Sequence, residues 1–340
     1  LFRRWQRDRK DREMERVRRI DSWIELTMIA ALLSVSAFAA QTRVIVISVD
    51  GLRADMVDAS TAPNMAALSA AGAHAARAIN DLPSMTLPNH ATMLTGLVSD
   101  RHGLILNFDI PGKIPQKTLF EYAKAAGLRG GFYATKSKLS FLAKPESLEV
   151  IEINGIPRDV VDRMLPEISP DGLDVFFLHI RSPDSTGHRA GWMSPEYFDA
   201  VAEADTLIGS VVKAAQADKT RDTYIIVTAD HGGSGMNHFV NNKFNRTIPW
   251  IANGPGITAG KVIDGTVTVA DTMPTALWLL NVPVPSGLSG RAIKSLLDDN
   301  AAKNGAQLPV VPVGIPCTLF AVPGLVAFMY VYKRATPTST

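Results

Sequence analysis

Three short apolar runs, each leading into an acidic residue, constrain this chain more than any other feature. Arg43–Val49 reads RVIVISV and meets Asp50. Val175–Ile180 reads VFFLHI, with Asp184 a few residues on. Tyr224–Thr228 reads YIIVT and runs almost at once into Asp230 and His231. Nearly unbroken β-branched and aromatic runs of this length fit strands buried on both faces, the setting of a parallel sheet. Gly131–Ala134 and Val150–Ile153 read as two further strands.

Helical patterns fill the intervals. Ala62–Ala71 is alanine-rich with Pro63 near its start, and Leu119–Ala126 stops at Gly127, a frequent C-terminal residue. Asp159–Leu165 is short and amphipathic. Pro195–Ala217 is long, with Ser194 placed to cap it and Pro195 at its first turn. Asp199, Glu203 and Asp205 on that helix read as a solvated face. Strand–helix alternation predicts an α/β layered fold with a mostly parallel central sheet flanked by helices. Residues 111–170 hold none of the candidate ligands named below and are expected to form a small cap. Ligands in such sheets gather beyond the carboxyl ends of the strands, where the three acidic positions stand.

The chain has 340 residues, 46% of them hydrophobic, enough for a substantial core. Its formal charge of +2 is uneven. The first twenty residues are dense in arginine and the remainder is slightly acidic, so no nucleic-acid-binding surface is predicted. Cys317 is the single cysteine, which excludes an intrachain disulfide and a thiolate zinc cluster. Any metal must be held by histidine and carboxylate.

Both ends read as targeting segments. Met28–Phe38 is apolar with basic residues upstream, and Ala37-Phe38-Ala39 offers a small-residue cleavage pattern. Residues 1–40 are therefore expected to be an extension and signal peptide, placing the protein in the periplasm or cell envelope. Residues 41–308 are expected to form the catalytic domain. Residues 309–340 read as a Pro-rich linker and an apolar tail, Ile315–Tyr332, backed by Lys333 and Arg334. The tail resembles a bacterial anchoring signal and predicts a membrane tether, although Pro316 and Pro323 interrupt it.

Four segments supply candidate metal ligands: Asp50, the pair Asp184 and His188, the pair Asp230 and His231, and His238. Asp184 and His188 are four apart and can share one face of a helical turn. Gly232 and Gly233 after His231 would let the backbone turn tightly around an ion. Three carboxylates and three histidines suffice for two four-coordinate ions if a hydroxyl oxygen or water completes the shells. Thr86, in PSMTLPNHATMLTG, is the candidate hydroxyl, since a nearby metal would activate this otherwise poor nucleophile.

Taken together, VIVISVDGLR, PSMTLPNHATMLTGLVSDRHG, Asn107, PDSTGH, TADHGG and His238 resemble the alkaline phosphatase superfamily, in its type I phosphodiesterase/nucleotide pyrophosphatase branch. The resemblance spans roughly residues 43–293. It implies that Asp50, Asp230, His231 and the Thr86 oxygen hold one Zn2+, and that Asp184, His188 and His238 hold a second. Another divalent metal could take their place. It also implies that Thr86 attacks phosphorus to form a phosphothreonine, and that Asn107 contacts a phosphoryl oxygen of a small phosphorylated substrate. In the larger members the last histidine ligand lies far downstream; here His238 follows within the same loop, as in compact bacterial members.

Lys136 and Lys138 follow the GGFYA strand at alternating positions and can project the same way. They resemble the paired lysines of phosphonoacetate hydrolases and would suit a doubly charged monoester or phosphonate. A sulfatase would need Cys or Ser where Thr86 stands. A non-catalytic, envelope-tethered metal-binding protein is the remaining reading from a different class. His90 and His102 read as packing or supporting residues near the nucleophile loop, and His179 as a hydrogen-bonded core residue.

Overall fold

A computed structural model describes residues 42–297. The expected signal peptide, linker and tail lie outside the described residues. The five strands expected from the apolar runs all form and lie side by side. They are β1 (Thr42–Val49), β3 (Gly130–Ala134), β4 (Val150–Ile153), β5 (Val175–Ile180) and β6 (Asp222–Thr228). In the order β4-β3-β5-β1-β6 every neighbouring pair is parallel. β1 occupies the middle of the site-forming strands, with Ser48 beside both His179 and Thr228. Its residues from Arg43 onward are fully buried, as its unbroken apolar run requires.

Beyond β6 the sheet changes character. β8 (Trp250–Asn253) is antiparallel to β6 and to β2 (Ala73–Ile79). β7 (Thr247–Ile248) is antiparallel to the far end of β2, and β9 (Lys261–Thr268) runs parallel to β2 with a shift in register.

Two helical layers cover the sheet. One contains α1 (Pro63–Ala71), α4 (Pro157–Met164), α5 (Ser182–Ala190) and α6 (Pro195–Ala217). The other contains α2 (Thr86–Thr95), α3 (Leu119–Ala125) and α7 (Thr272–Leu279). α6 starts as its sequence demands, with the Ser194 hydroxyl accepting from Tyr197 N–H. Among the described residues no helix is long and apolar enough to cross a membrane.

Two local expectations change. Residues 111–170 supply strands β3 and β4 and helices α3 and α4, so they belong to the main layers rather than to a cap. Asp205 is 1% exposed and turns inward, unlike the exposed Asp199 and Glu203. Its carboxylate accepts from Asn64 N–H, the Asn64 amide and Met65 N–H at 2.7–3.0 Å, satisfying donors at the start of α1.

Candidate active site

The candidate residues converge at the carboxyl ends of β1, β5 and β6. Asp50 directly follows β1, Asp184 and His188 lie on α5 just after β5, and Asp230 and His231 follow β6. Asp184 N–H donates to the Asp50 carbonyl at 3.0 Å, and Gly51 N–H donates to Asp230 Oδ1 at 3.2 Å. Gly51 has φ +71°, and a Cβ there would stand 2.8 Å from the Asp184 Cα. Glycine is needed for both the conformation and the approach. The Gly51 carbonyl is held in turn by the Trp192 indole at 2.9 Å and the Tyr197 hydroxyl at 2.8 Å. Gly232 serves close packing, since a Cβ would lie 2.0 Å from the Phe244 carbonyl oxygen.

The donor set fits metal ions. Asp50 Oδ1, Asp184 Oδ1 and Asp230 Oδ2 are buried without a hydrogen-bond partner. Orphaned carboxylate oxygens are costly unless something positive meets them. Each histidine that faces them has its Nδ1 on a backbone carbonyl: His231 on Gly232 at 2.8 Å, His238 on Ser84 at 2.6 Å and His188 on Met236 at 3.0 Å. Donation from Nδ1–H leaves each Nε2 with its lone pair toward the carboxylates, the arrangement that orients metal-binding imidazoles.

The spacings agree. His231 Nε2 lies 3.4 Å from Asp50 Oδ1 and 3.2 Å from Asp230 Oδ2. From Asp184 Oδ1, His188 Nε2 is 3.4 Å away, His238 Nε2 3.7 Å and His231 Nε2 3.9 Å. Two ligands of one tetrahedral ion with bonds of about 2.0–2.2 Å stand roughly 3.3–3.6 Å apart. Asp50, Asp230 and His231 form one group able to hold an ion; Asp184, His231 and His238 form another. His231 thus reaches both, but His188 is nearer to Asp184 than His231 is, which favours His188 in the second set. The His231 and His238 rings stack at 3.7 Å between centroids.

Thr86 is the first residue of α2, and its Oγ1 lies 3.5 Å from His231 Nε2. The helix N-terminus adds positive potential where a phosphoryl group would sit. Asn107 Oδ1 accepts from Leu87 N–H at 3.0 Å, which fixes the amide so that its NH2 remains a donor. Lys136 Nζ is 2.6 Å from Asp50 Oδ2, 2.5 Å from Asp184 Oδ2 and 3.5 Å from Thr86 Oγ1. Lys138 Nζ donates to the Asn107 carbonyl at 2.8 Å. Every sequence-predicted site residue is therefore drawn into one cluster.

Burial sets the electrostatics. It opposes charge on Asp50, but Lys136 and His179 outweigh it and hold that carboxyl well below its usual range. Asp230 is pushed well above the usual range by burial and then by the Asp50 charge. A cation between the two would relieve that imbalance. Burial lowers His231, and lowers His238 to about 2 with help from His231, so both imidazoles are neutral and ready to ligate. Burial alone would lower Lys136, yet Asp50 and Asp184 hold it above its ordinary value.

Two histidines with general supporting readings acquire definite roles in the geometry. His179 accepts from Thr135 N–H at Nδ1 and donates from Nε2 to Asp50 Oδ2 at 2.9 Å, which leaves Asp50 Oδ1 for a metal. His90 donates from Nδ1 to the Thr86 carbonyl at 2.7 Å, and its Nε2 accepts from the Ser48 hydroxyl at 2.8 Å. The parallel register of Ser48 with His179 places His179 beside the end of β1 that carries Asp50, a signal legible once the strand pairing is known.

The comparisons with known proteins agree with this geometry. The family model for type I phosphodiesterase/nucleotide pyrophosphatase matches residues 44–111 and 108–262. The chain belongs to that family. It is 26% identical over 233 residues to human ectonucleotide pyrophosphatase/phosphodiesterase family member 7, covering 58% of this chain and 49% of that protein. Xenopus laevis arylsulfatase K is 32% identical over 114 residues, 32% of this chain and 21% of the relative. The chain thus spans at most about half the length of these two relatives. Among solved structures, murine ectonucleotide pyrophosphatase/phosphodiesterase 5 in complex with AMP superposes with TM-score 0.62 at 18% identity. That match covers 76% of this chain and all of the other. A phosphonate monoester hydrolase from Silicibacter pomeroyi gives 0.58 at 18%, covering 76% of each. Such similarities establish the alkaline-phosphatase-like fold of this phosphodiesterase-family chain.

Proposed function

We propose that the protein is an exported two-zinc phosphohydrolase whose nucleophile is Thr86. The observation that carries this reading is the set of three orphaned carboxylate oxygens faced by the Nε2 atoms of His188, His231 and His238, with that of His231 3.5 Å from the Thr86 hydroxyl. Asp50, Asp230, His231 and Thr86 would hold one ion, and Asp184, His188 and His238 the other. Bound there, the two ions would acidify the threonine hydroxyl and stabilise the attacking and leaving oxygens. Thr86 Oγ1 forms the bond to phosphorus while the ester bond breaks on the opposite side, and water later cleaves the phosphothreonine. The Asn107 amide and the N-terminus of α2 stabilise charge growing on the nonbridging oxygens, with about 3 kcal/mol for a well-placed donor.

Family membership favours phosphodiester or nucleotide pyrophosphate substrates. The placement of Lys136 near Thr86 and of Lys138 on Asn107 favours a second reading, a terminal, doubly charged phosphoryl or phosphonyl group. Hydrolysis of bis-p-nitrophenyl phosphate, p-nitrophenyl phosphate, thymidine 5′-p-nitrophenyl phosphate and phosphonoacetate by the zinc-loaded full chain tests both. A preference for the diesters supports the first, and a preference for p-nitrophenyl phosphate or phosphonoacetate supports the second. Metal binding without turnover of any of them would overturn the catalytic reading and favour a metal-binding protein.

A further inference from the structure

Three exposed apolar residues lie on the two linked loops that border the outer histidines of the site. Phe239 is 55% exposed, Met236 56% and Met193 39%. Single exposed apolar residues are ordinary, but these are anchored to the site itself. The Phe239 ring lies 4.5 Å from the His238 ring and 6.3 Å from that of His188. The Met236 carbonyl accepts from His188 Nδ1, and Trp192 N–H donates to the Gly235 carbonyl at 2.7 Å, tying the Met193 loop to the Met236 loop. Met193 itself has φ +73°, a backbone conformation that a residue with a Cβ keeps only when its surroundings hold it there.

The direction of the reaction gives this patch a use. Displacement at phosphorus is in line, so the leaving oxygen departs opposite the attacking hydroxyl. Thr86 sits beside His231, whose ring stacks on His238, which neighbours His188 at 5.0 Å. These rings lead from the buried nucleophile to His188, whose side chain is 36% exposed, and Phe239 stands at that outer end. We infer that Phe239, Met236 and Met193 form the leaving-group subsite and select apolar, preferentially aromatic, alcohols. The inference rests on the phosphohydrolase reading above. A phenylalanine face favours aromatic rings, and flexible thioethers adapt to varied apolar shapes.

The test compares ligands that share one anionic head. Calorimetry on the zinc-loaded full chain with methylphosphonate and benzylphosphonate should show at least about tenfold tighter binding of the benzyl compound. Phe239→Ala should reduce that ratio below about threefold, Phe239→Tyr should keep it, and the kcat/KM ratio of benzyl over ethyl phosphate should follow. Zinc content checks that the loop survives substitution. If Phe239→Ala loses zinc, Met236→Ala decides in its place, because only the Met236 backbone bonds His188, and its ratio should also fall. Equal affinities in the wild type, or a ratio that persists in the zinc-loaded variants, would overturn the subsite alone. Binding of neither phosphonate would overturn the phosphohydrolase reading and the subsite with it.

Discussion

The two sides of the site differ in how much solvent they meet. On the inner side, Asp50, Thr86, Asp230 and His231 are at most 1% exposed, and His90 and His179, both fully buried, support them. On the outer side, His188 is partly open and Phe239 and Met236 expose more than half their surface. A buried, hydrogen-bonded ligand has one position available to it, whereas an exposed side chain can be exchanged without leaving a buried polar group unpaired. Inner substitutions should therefore damage turnover of every substrate, and outer ones should change which substrate is preferred.

The largest expected effect tests the inner side. Thr86→Ala should lower kcat by about a thousandfold or more on all esters while zinc remains bound. Turnover that survives within tenfold would remove Thr86 from the mechanism. His179→Asn comes next. Freed from its donor, Asp50 should hold metal about 10–100-fold more weakly, read by competition with a chelator. An unchanged affinity would show that His179 only fills space. Lys136→Met sharpens the comparison because this residue touches the inner carboxylates yet lies beside Thr86. On the dianionic reading, kcat/KM for p-nitrophenyl phosphate should fall about tenfold more than that for the diester, an interaction of roughly 1.4 kcal/mol. Equal losses would assign the lysine to structure alone.

The smallest effect lies away from the candidate metal ligands. His102 Nδ1 accepts from Leu104 N–H at 3.1 Å, and its Nε2 faces the Thr92 hydroxyl at 3.0 Å. Burial lowers its pKa in the fold, although Asp81 opposes the shift. The unfolded chain then binds this proton more readily than the native one. Its contribution is complete above an unfolded pKa of about 6.5 and is lost as pH falls from there toward the lowered folded value, at no more than about 1.4 kcal/mol per pH unit. Denaturant titrations should show a shallower loss of stability below pH 6.5 in His102→Gln; identical slopes would exclude the assignment.

The parallel half of the fold was readable because RVIVISV, VFFLHI and YIIVT are unbroken apolar runs. The half beyond β6, where antiparallel and parallel pairs mix, was not. AHAARAI in β2 alternates weakly, and KVIDGTVT in β9 carries Asp264 and Gly265 within it and pairs through a register shift. The cap expectation failed because GGFYA and VIEI are short runs: GGFYA takes its place in the sheet beside β5, distant in sequence, and VIEI pairs in turn with GGFYA. Motif order brought the candidate metal ligands and Thr86 together. What it left open were imidazole orientations and the inward turn of Asp205, which depend on partners far along the chain.

The close approach at Gly51 also bears on when the protein can capture metal. Asp50 and Asp184 are locked to each other through main-chain contacts, and Gly51 reaches Asp230 across 179 residues of sequence. The two candidate ligand groups are thus spaced by strand pairing rather than by adjustable side chains. Such non-local contacts close late in folding. On the two-metal proposal, tight metal uptake should therefore coincide with the last stage of domain assembly, and a nascent chain that has not yet made β6 would carry Asp50 and Asp184 without Asp230 and His231 to complete the ligand groups.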